Sequence, residues 1–168
     1  MKELNLDLVN KLFRYDKETG DLIRKVNKGT AKAGDKAGSV NGSGYLLTTI
    51  EGVKYRNHRI IFLMHHGFLP ACLDHIDNNK LNNRIENLRP ATPSQNQCNS
   101  GMRKDNTSGV KGVTWFPESS KWRVQIKYNG KRHCYGLYNT LLEATTVIHK
   151  AREKLHGEFV NHGVCEEF

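Results

Sequence analysis

The run Lys121-Trp122-Arg123-Val124-Gln125-Ile126-Lys127-Tyr128 alternates strictly between polar and apolar residues, and Asn129-Gly130 follows it. Period-two alternation fits a half-buried strand, and Asn-Gly favours the two-residue turn that joins antiparallel strands. The spacing therefore predicts a hairpin in which Tyr128 faces Lys131, Ile126 faces His133 and Val124 faces Tyr135. Trp122, Val124, Ile126 and Tyr128 share one face. Lys121, Arg123, Gln125 and Lys127 share the other, where Arg132 joins them. Thr140-Leu141-Leu142-Glu143 is a capping-box pattern that opens a helix to about His156, with Gly157 as its stop. Leu141, Ala144, Val147, Ile148, Ala151 and Leu155 give that helix an apolar stripe to cover the sheet.

Upstream the signals are shorter. Leu6, Val9 and Leu12 recur at helical spacing, and Tyr15 to Asp21 reads as a turn between short strands. Residues 28–44, rich in Gly, Lys and Ala, read as a loop. Gly44 to Ile50, the turn Glu51-Gly52 and Val53 to Arg56 predict a second hairpin, and Ile60 to Met64 a short buried helix ending at Gly67. Thr92 can cap a helix with Pro93 in its first position, which sets Asn96 in the opening turns. Residues 101–108 are polar and aperiodic, and the expected division is 1–100, a linker at 101–108, a module at 109–162 and a tail at 163–168.

Charge narrows the partners. Twenty-six Lys and Arg against 17 Asp and Glu give a formal +9, which suits a polyanion. Residues 103–132 hold eight Lys or Arg, with only Asp105 and Glu118 as acids, which favours nucleic acid over plain solvation of that face. The apolar run Ile60 to Met64 is far short of the ~20 residues that span a bilayer, and Met1 to Asn5 has no apolar signal core. No membrane association is expected, and the location expected is the cytoplasm. Cys72, Cys98, Cys134 and Cys165 are widely spaced, and no H-E-x-x-H occurs, so neither zinc nor a disulfide framework is expected.

Asp74 to Asn96 contains one histidine, two aspartates and six asparagines. Asn and Asp form turns through side-chain bonds to the backbone, but they also offer the hard oxygens that Mg²⁺ takes. His75 can serve as a base near neutral pH, and Asp74 beside it can hold a hard cation. An EF-hand loop does not fit, because counting from Asp77 puts Asn82 at the glycine position and Leu88 at the glutamate position. Ile76, Leu81, Ile85 and Leu88 are the expected apolar anchors, and Asn78, Asn79, Asn82 and Asn83 the expected turn-formers. Composition alone leaves open both a phosphodiester-cutting site and an asparagine-rich loop with no catalytic task.

The run Asp74-His75-Ile76-Asp77-Asn78-Asn79-Lys80, then Asn82-Asn83-Arg84, Glu86-Asn87-Leu88-Arg89, and Thr92 followed by Asn96, resembles the HNH homing endonucleases of bacteriophages and mobile introns. Asn57-His58-Arg59-Ile60-Ile61-Phe62 and Gly67 resemble the segment that leads into that motif. The resemblance implies a ββα-metal core, His75 as general base and Asn87 as the brace that orients it. It also implies Asp74 and Asn96 as the pair that binds Mg²⁺ or Mn²⁺. Asn96 stands where many members carry a last histidine, and Asn99 is its nearest competitor.

Residues 110–162, with Gly112-Val113, Lys121-Trp122-Arg123, Gly136, Thr140, Glu143-Ala144 and Gly157-Glu158-Phe159, resemble the Apetala-type DNA-binding domain. Thr114, Trp115 and Phe116 stand where that family carries arginines. Phosphate contacts then fall to Lys111, Arg123, Lys127 and Arg132, beside Lys121 and Gln125 on the same strand.

The fold class expected is α+β: a ββα-metal nuclease core with an N-terminal β-hairpin extension, then a three-stranded antiparallel sheet packed on one helix. The function expected is metal-dependent hydrolysis of double-stranded DNA. One site cuts one strand, so a double-strand break requires a homodimer or two visits. Two rivals remain at this level: a DNA-binding regulator with an inactive nuclease module, and an RNA-directed module.

Overall fold

The computed structural model describes residues 4–163, and the expected tail beyond Gly163 lies outside the described residues. Contacts divide the chain into two units, Met1–Ala91 and Thr92–Phe168. This division falls ahead of the segment 101–108 that composition singles out.

The first unit begins with α1 (Leu6–Leu12), whose first turn is capped by the Asn5 side chain accepting from the Leu8 amide at 3.0 Å. Strands β1 (Phe13–Tyr15) and β2 (Leu22–Arg24) pair antiparallel around the expected turn. Strands β3 (Ser39–Val40), β4 (Leu46–Ile50) and β5 (Val53–Arg56) form a three-stranded sheet with β4 in the centre. The two-residue β3 sits inside the stretch read from sequence as loop. It is too short to leave a periodic signal, and both of its side chains are exposed.

Helix α2 (Asn57–His66) is the spine of this unit, and it ends where Gly67 turns left-handed with φ +76°. Ile60, Ile61 and Phe62 pack with Val9, Phe13, Leu22, Ile50, Leu73 and Leu88 in one apolar cluster. At the head of α2 the Asn57 amide is almost wholly buried. Its oxygen accepts from the Thr48 hydroxyl and its nitrogen donates to the Ala37 carbonyl, both at 2.7 Å. Strands β6 (Cys72–His75) and β7 (Leu88–Ala91) then pair antiparallel, with Asp74 opposite Arg89 and His75 opposite Leu88.

The second unit opens with α3 (Pro93–Asn99), which starts on a full capping box between Thr92 and Gln95. Strands β8 (Val113–Phe116), β9 (Lys121–Tyr128) and β10 (Lys131–Tyr138) form an antiparallel sheet with β9 central. Helix α4 (Leu141–His156), capped by Thr140 and Glu143, covers it. Val113, Val124, Ile126, Ala144, Ile148 and Ala151 form the core between them.

The register differs from expectation at one point. Tyr128 faces Lys131 and Ile126 faces His133, but Val124 faces Gly136, because a bulge intervenes between Cys134 and Gly136. The extra residue is Tyr135, whose carbonyl accepts the Tyr138 hydroxyl at 2.7 Å. Gly136, at φ +112°, supplies backbone freedom that an L side chain rarely adopts. Gly112, at φ +81°, is needed for space as well, since a Cβ there would lie 2.8 Å from the Gln125 carbonyl oxygen.

Candidate active site

His75 ends β6 with 5% of its surface exposed. Its Nε2 lies 3.1 Å from Oδ1 of Asn83. An amide oxygen only accepts, so in this pairing Nε2 carries the proton and Nδ1 is the basic nitrogen of the ring. The His58 ring meets His75 edge-on at 4.8 Å between centroids, and Tyr45 stands 6.0 Å away on the same side. Burial holds His75 below its usual pKa, while Asn83, Asp77 and Asp74 pull it up. His58 is held at about 3, by burial first and then by His75, Arg56 and Arg59. Both imidazoles are therefore neutral at neutral pH, the state a general base requires.

Asp74 precedes His75 on the strand, where neighbours point to opposite faces. It is 4% exposed, and Oδ2 accepts from both Nε and Nη2 of Arg89, each at 3.0 Å. The cross-strand register places these two residues directly opposite.

The segment between the strands is built from polar bonds. Asn87 Nδ2 donates to Asp77 Oδ1 at 2.9 Å and to the Asn82 carbonyl at 2.8 Å, while its Oδ1 accepts from the Asp77 amide at 3.1 Å. Asp77 and Asn79 side chains cap the amides two residues on, and Asn78 adopts φ +61°. Arg84 Nη2 donates to the Glu18 carbonyl at 2.7 Å, and the Ile85 amide donates to the Tyr15 hydroxyl at 2.9 Å. Thus the β1–β2 turn buttresses the segment. Gly20 admits this approach, since a Cβ there would lie 2.7 Å from the Arg84 nitrogen.

Two expected anchors are corrected here. Ile76 and Leu81 are 45% and 49% exposed, because these hydrogen bonds hold the loop without apolar burial. Asn83 is corrected as well. It is 2% exposed and faces His75 rather than forming a turn, and nothing in a run of four similar asparagines distinguishes it.

Asn96 and Asn99 lie on α3, in the second unit. The Asn96 amide donates to the Thr92 carbonyl at 3.0 Å. Asn99 is 2% exposed, and its carbonyl accepts from Asn161 Nδ2 at 3.0 Å. Of the residues expected on DNA, Lys127 and Arg132 are exposed and face each other across β9 and β10. Lys121 and Gln125 are half-buried, and the Arg123 guanidinium lies 4.9 Å over the Phe116 ring. Lys111 is turned inward instead. Its ammonium donates to the carbonyls of Cys98 at 3.0 Å, Ser100, and Asn161 at 3.4 Å, so it closes the end of α3.

No three His, Cys, Asp or Glu side chains converge among the described residues. Mg²⁺ does not need such a cage, because one or two carboxylates with water and substrate phosphates suffice. The hard, buried carboxylate of Asp74 fits that demand.

Residues 55–98, from β5 through β6, the loop and β7 into α3, match the family model described as HNH endonuclease. Protein 3.8 of Escherichia phage T7 is 39% identical over 106 residues, covering 62% of this chain and 87% of that protein. A protein of Acanthamoeba polyphaga mimivirus described as an uncharacterized HNH endonuclease is 38% identical over 120 residues. That match covers 70% of this chain, which spans 61% of the mimivirus protein. No solved structure gives a significant match. The chain belongs to the HNH endonuclease family, a family of nucleases. None of its described helices is long and apolar enough to cross a membrane.

Proposed function

We propose that this chain is a metal-dependent DNA endonuclease of the HNH homing type with His75 as general base. The observation that carries this reading is the buried, neutral His75, whose Nε2 is committed to Asn83. Nδ1 takes the proton of a water as its oxygen bonds to phosphorus, and the P–O3′ bond breaks to leave 5′-phosphate and 3′-hydroxyl ends. Asn87 holds the loop that carries Asp77 and thereby steadies the end of β6. Asp74 would hold Mg²⁺ or Mn²⁺, and Asn96 enters as the second ligand through the motif alone. When bound, the metal supplies charge stabilisation at the phosphate and the leaving oxygen.

The second unit positions the substrate, in the manner of an Apetala-type domain. Lys127 and Arg132 are like charges directly opposite on neighbouring strands, an arrangement that costs stability until an anion lies across it. Together with Lys121, Arg123 and Gln125 they grip the phosphate backbone. Lys111 is left out of this set because its ammonium is engaged internally.

The test is supercoiled plasmid with Mg²⁺. Wild type should give nicked or linear product, and His75→Ala should lower the rate about 10²- to 10⁴-fold. Equal activity of the two proteins would sink the mechanism. Binding without cutting would favour the regulator, and preference for RNA in competition the RNA-directed module.

A further inference from the structure

Within the second unit lies a cavity of about 510 Å³ whose wall carries cations but little to balance them. The Arg152 side chain is 1% exposed, and its guanidinium donates to the Lys111 carbonyl and, at 3.4 Å, meets Nδ1 of His162. Lys111 donates only to carbonyls. Among the described residues neither cation has a carboxylate partner. Burial is the larger cause that lowers Lys111 to about 8, and repulsion from Arg152 adds to it. Buried charges are ordinarily paired, so two cations together without an acid among the described residues mark a place where an anion would be stabilised.

A second observation points the same way. His156 ends α4 on the same wall, 9% exposed, and neither ring nitrogen has a hydrogen-bond partner among the described residues. Its ring stacks on Tyr128, at 5.8 Å between centroids. At the rim, Lys127 adds charge, and Arg103 is 84% exposed and bridged to Asp105, the one acid on the wall.

We propose that this cavity binds a phosphate group, with Arg152, Lys111 and His156 as its floor and Arg103 and Lys127 at its mouth. The volume accommodates a phosphate with an attached sugar, at the small end of ligand pockets of roughly 300–1,000 Å³. The phosphate is either free or carried by nucleic acid, and the site is separate from His75 and independent of its chemistry.

The test follows histidine side-chain NMR signals of the full chain during titration. The arms are inorganic phosphate, a 5′-phosphorylated dinucleotide, its unphosphorylated form, and chloride at matched ionic strength. His156 signals should shift and saturate, and the His156 pKa should rise as the anion supplies the missing partner. A response to both phosphates supports the site, and a response to the phosphorylated dinucleotide alone supports it with nucleic acid as the source. No saturable response, or one that chloride or the unphosphorylated dinucleotide reproduces, overturns it. His156→Phe keeps the stack on Tyr128, and Arg103→Gln removes an exposed cation together with its ion pair to Asp105. At least one should weaken phosphate binding threefold or more, and unchanged affinity in both overturns the site.

Discussion

The Asn83 amide oxygen stands 3.1 Å from Nε2 of His75, a pairing that puts the proton of the neutral ring on Nε2. Asn83→Ala should lower plasmid nicking about tenfold or more, since misplacing the base sacrifices part of its 10²- to 10⁴-fold contribution. Asn83→Asp places a carboxylate on the ring and favours the imidazolium. The acidic limb of its pH–rate profile should move to higher pH than that of wild type. An unmoved limb would show that Asn83 does not govern His75.

Arg89 meets Asp74 in a pair of which 15% and 5% of the side chains are exposed. Arg89→Met leaves that carboxylate without its guanidinium and should cost about 3–5 kcal/mol of stability. A cation on Asp74 would restore part of the loss, so Mg²⁺ should raise the Tm of the variant more than that of wild type. Equal Tm increments in thermal melts with and without Mg²⁺ would count against Asp74 as a ligand.

Asn87 makes three hydrogen bonds across the loop. Asn87→Ala strands their partners and should lower stability by about 1–3 kcal/mol for each group left buried and unsatisfied. Urea midpoints measure this, and a midpoint within error of wild type would remove the brace.

His58 at about 3 and His156 at about 4 sit below the unfolded value of roughly 6.5. Between those limits the unfolded chain binds the protons that the folded chain refuses. Their contribution to stability is full above about pH 6.5 and falls as pH drops toward 3, by up to about 1.4 kcal/mol per pH unit for each histidine. Urea midpoints at pH 7.5 and 5 should differ in that direction, and His58→Phe should flatten the slope.

Lys127 and Arg132 face one another on the proposed DNA surface. Changing both to Gln should reduce the slope of log affinity against log salt by about 2, because each phosphate contact contributes roughly 0.9. An unchanged slope in binding assays from 50 to 200 mM salt would place the phosphates elsewhere.

Much of the local structure was legible because it follows from neighbours along the chain. Alternation and Asn129-Gly130 determined the β9–β10 hairpin, and Thr92-Pro93 and Thr140-x-x-Glu143 the starts of α3 and α4. The bulge at Tyr135 was not legible, since it rests on the Tyr138 hydroxyl returning to a carbonyl in the folded strand.

By itself the sequence determined the β9–β10 hairpin, the capped starts of α3 and α4, the basic face and the adjacency of an acid and a histidine at Asp74-His75. Only the tertiary structure decided which side chain serves which partner. Asn82 and Asn83 are chemically identical neighbours, yet one bonds Asp77 and the other His75, because the turn points them in different directions. Lys111 is likewise one basic residue among many until folding brings the carbonyls of Cys98 and Ser100 around it. Such assignments depend on contacts distant in sequence, which composition and spacing do not encode.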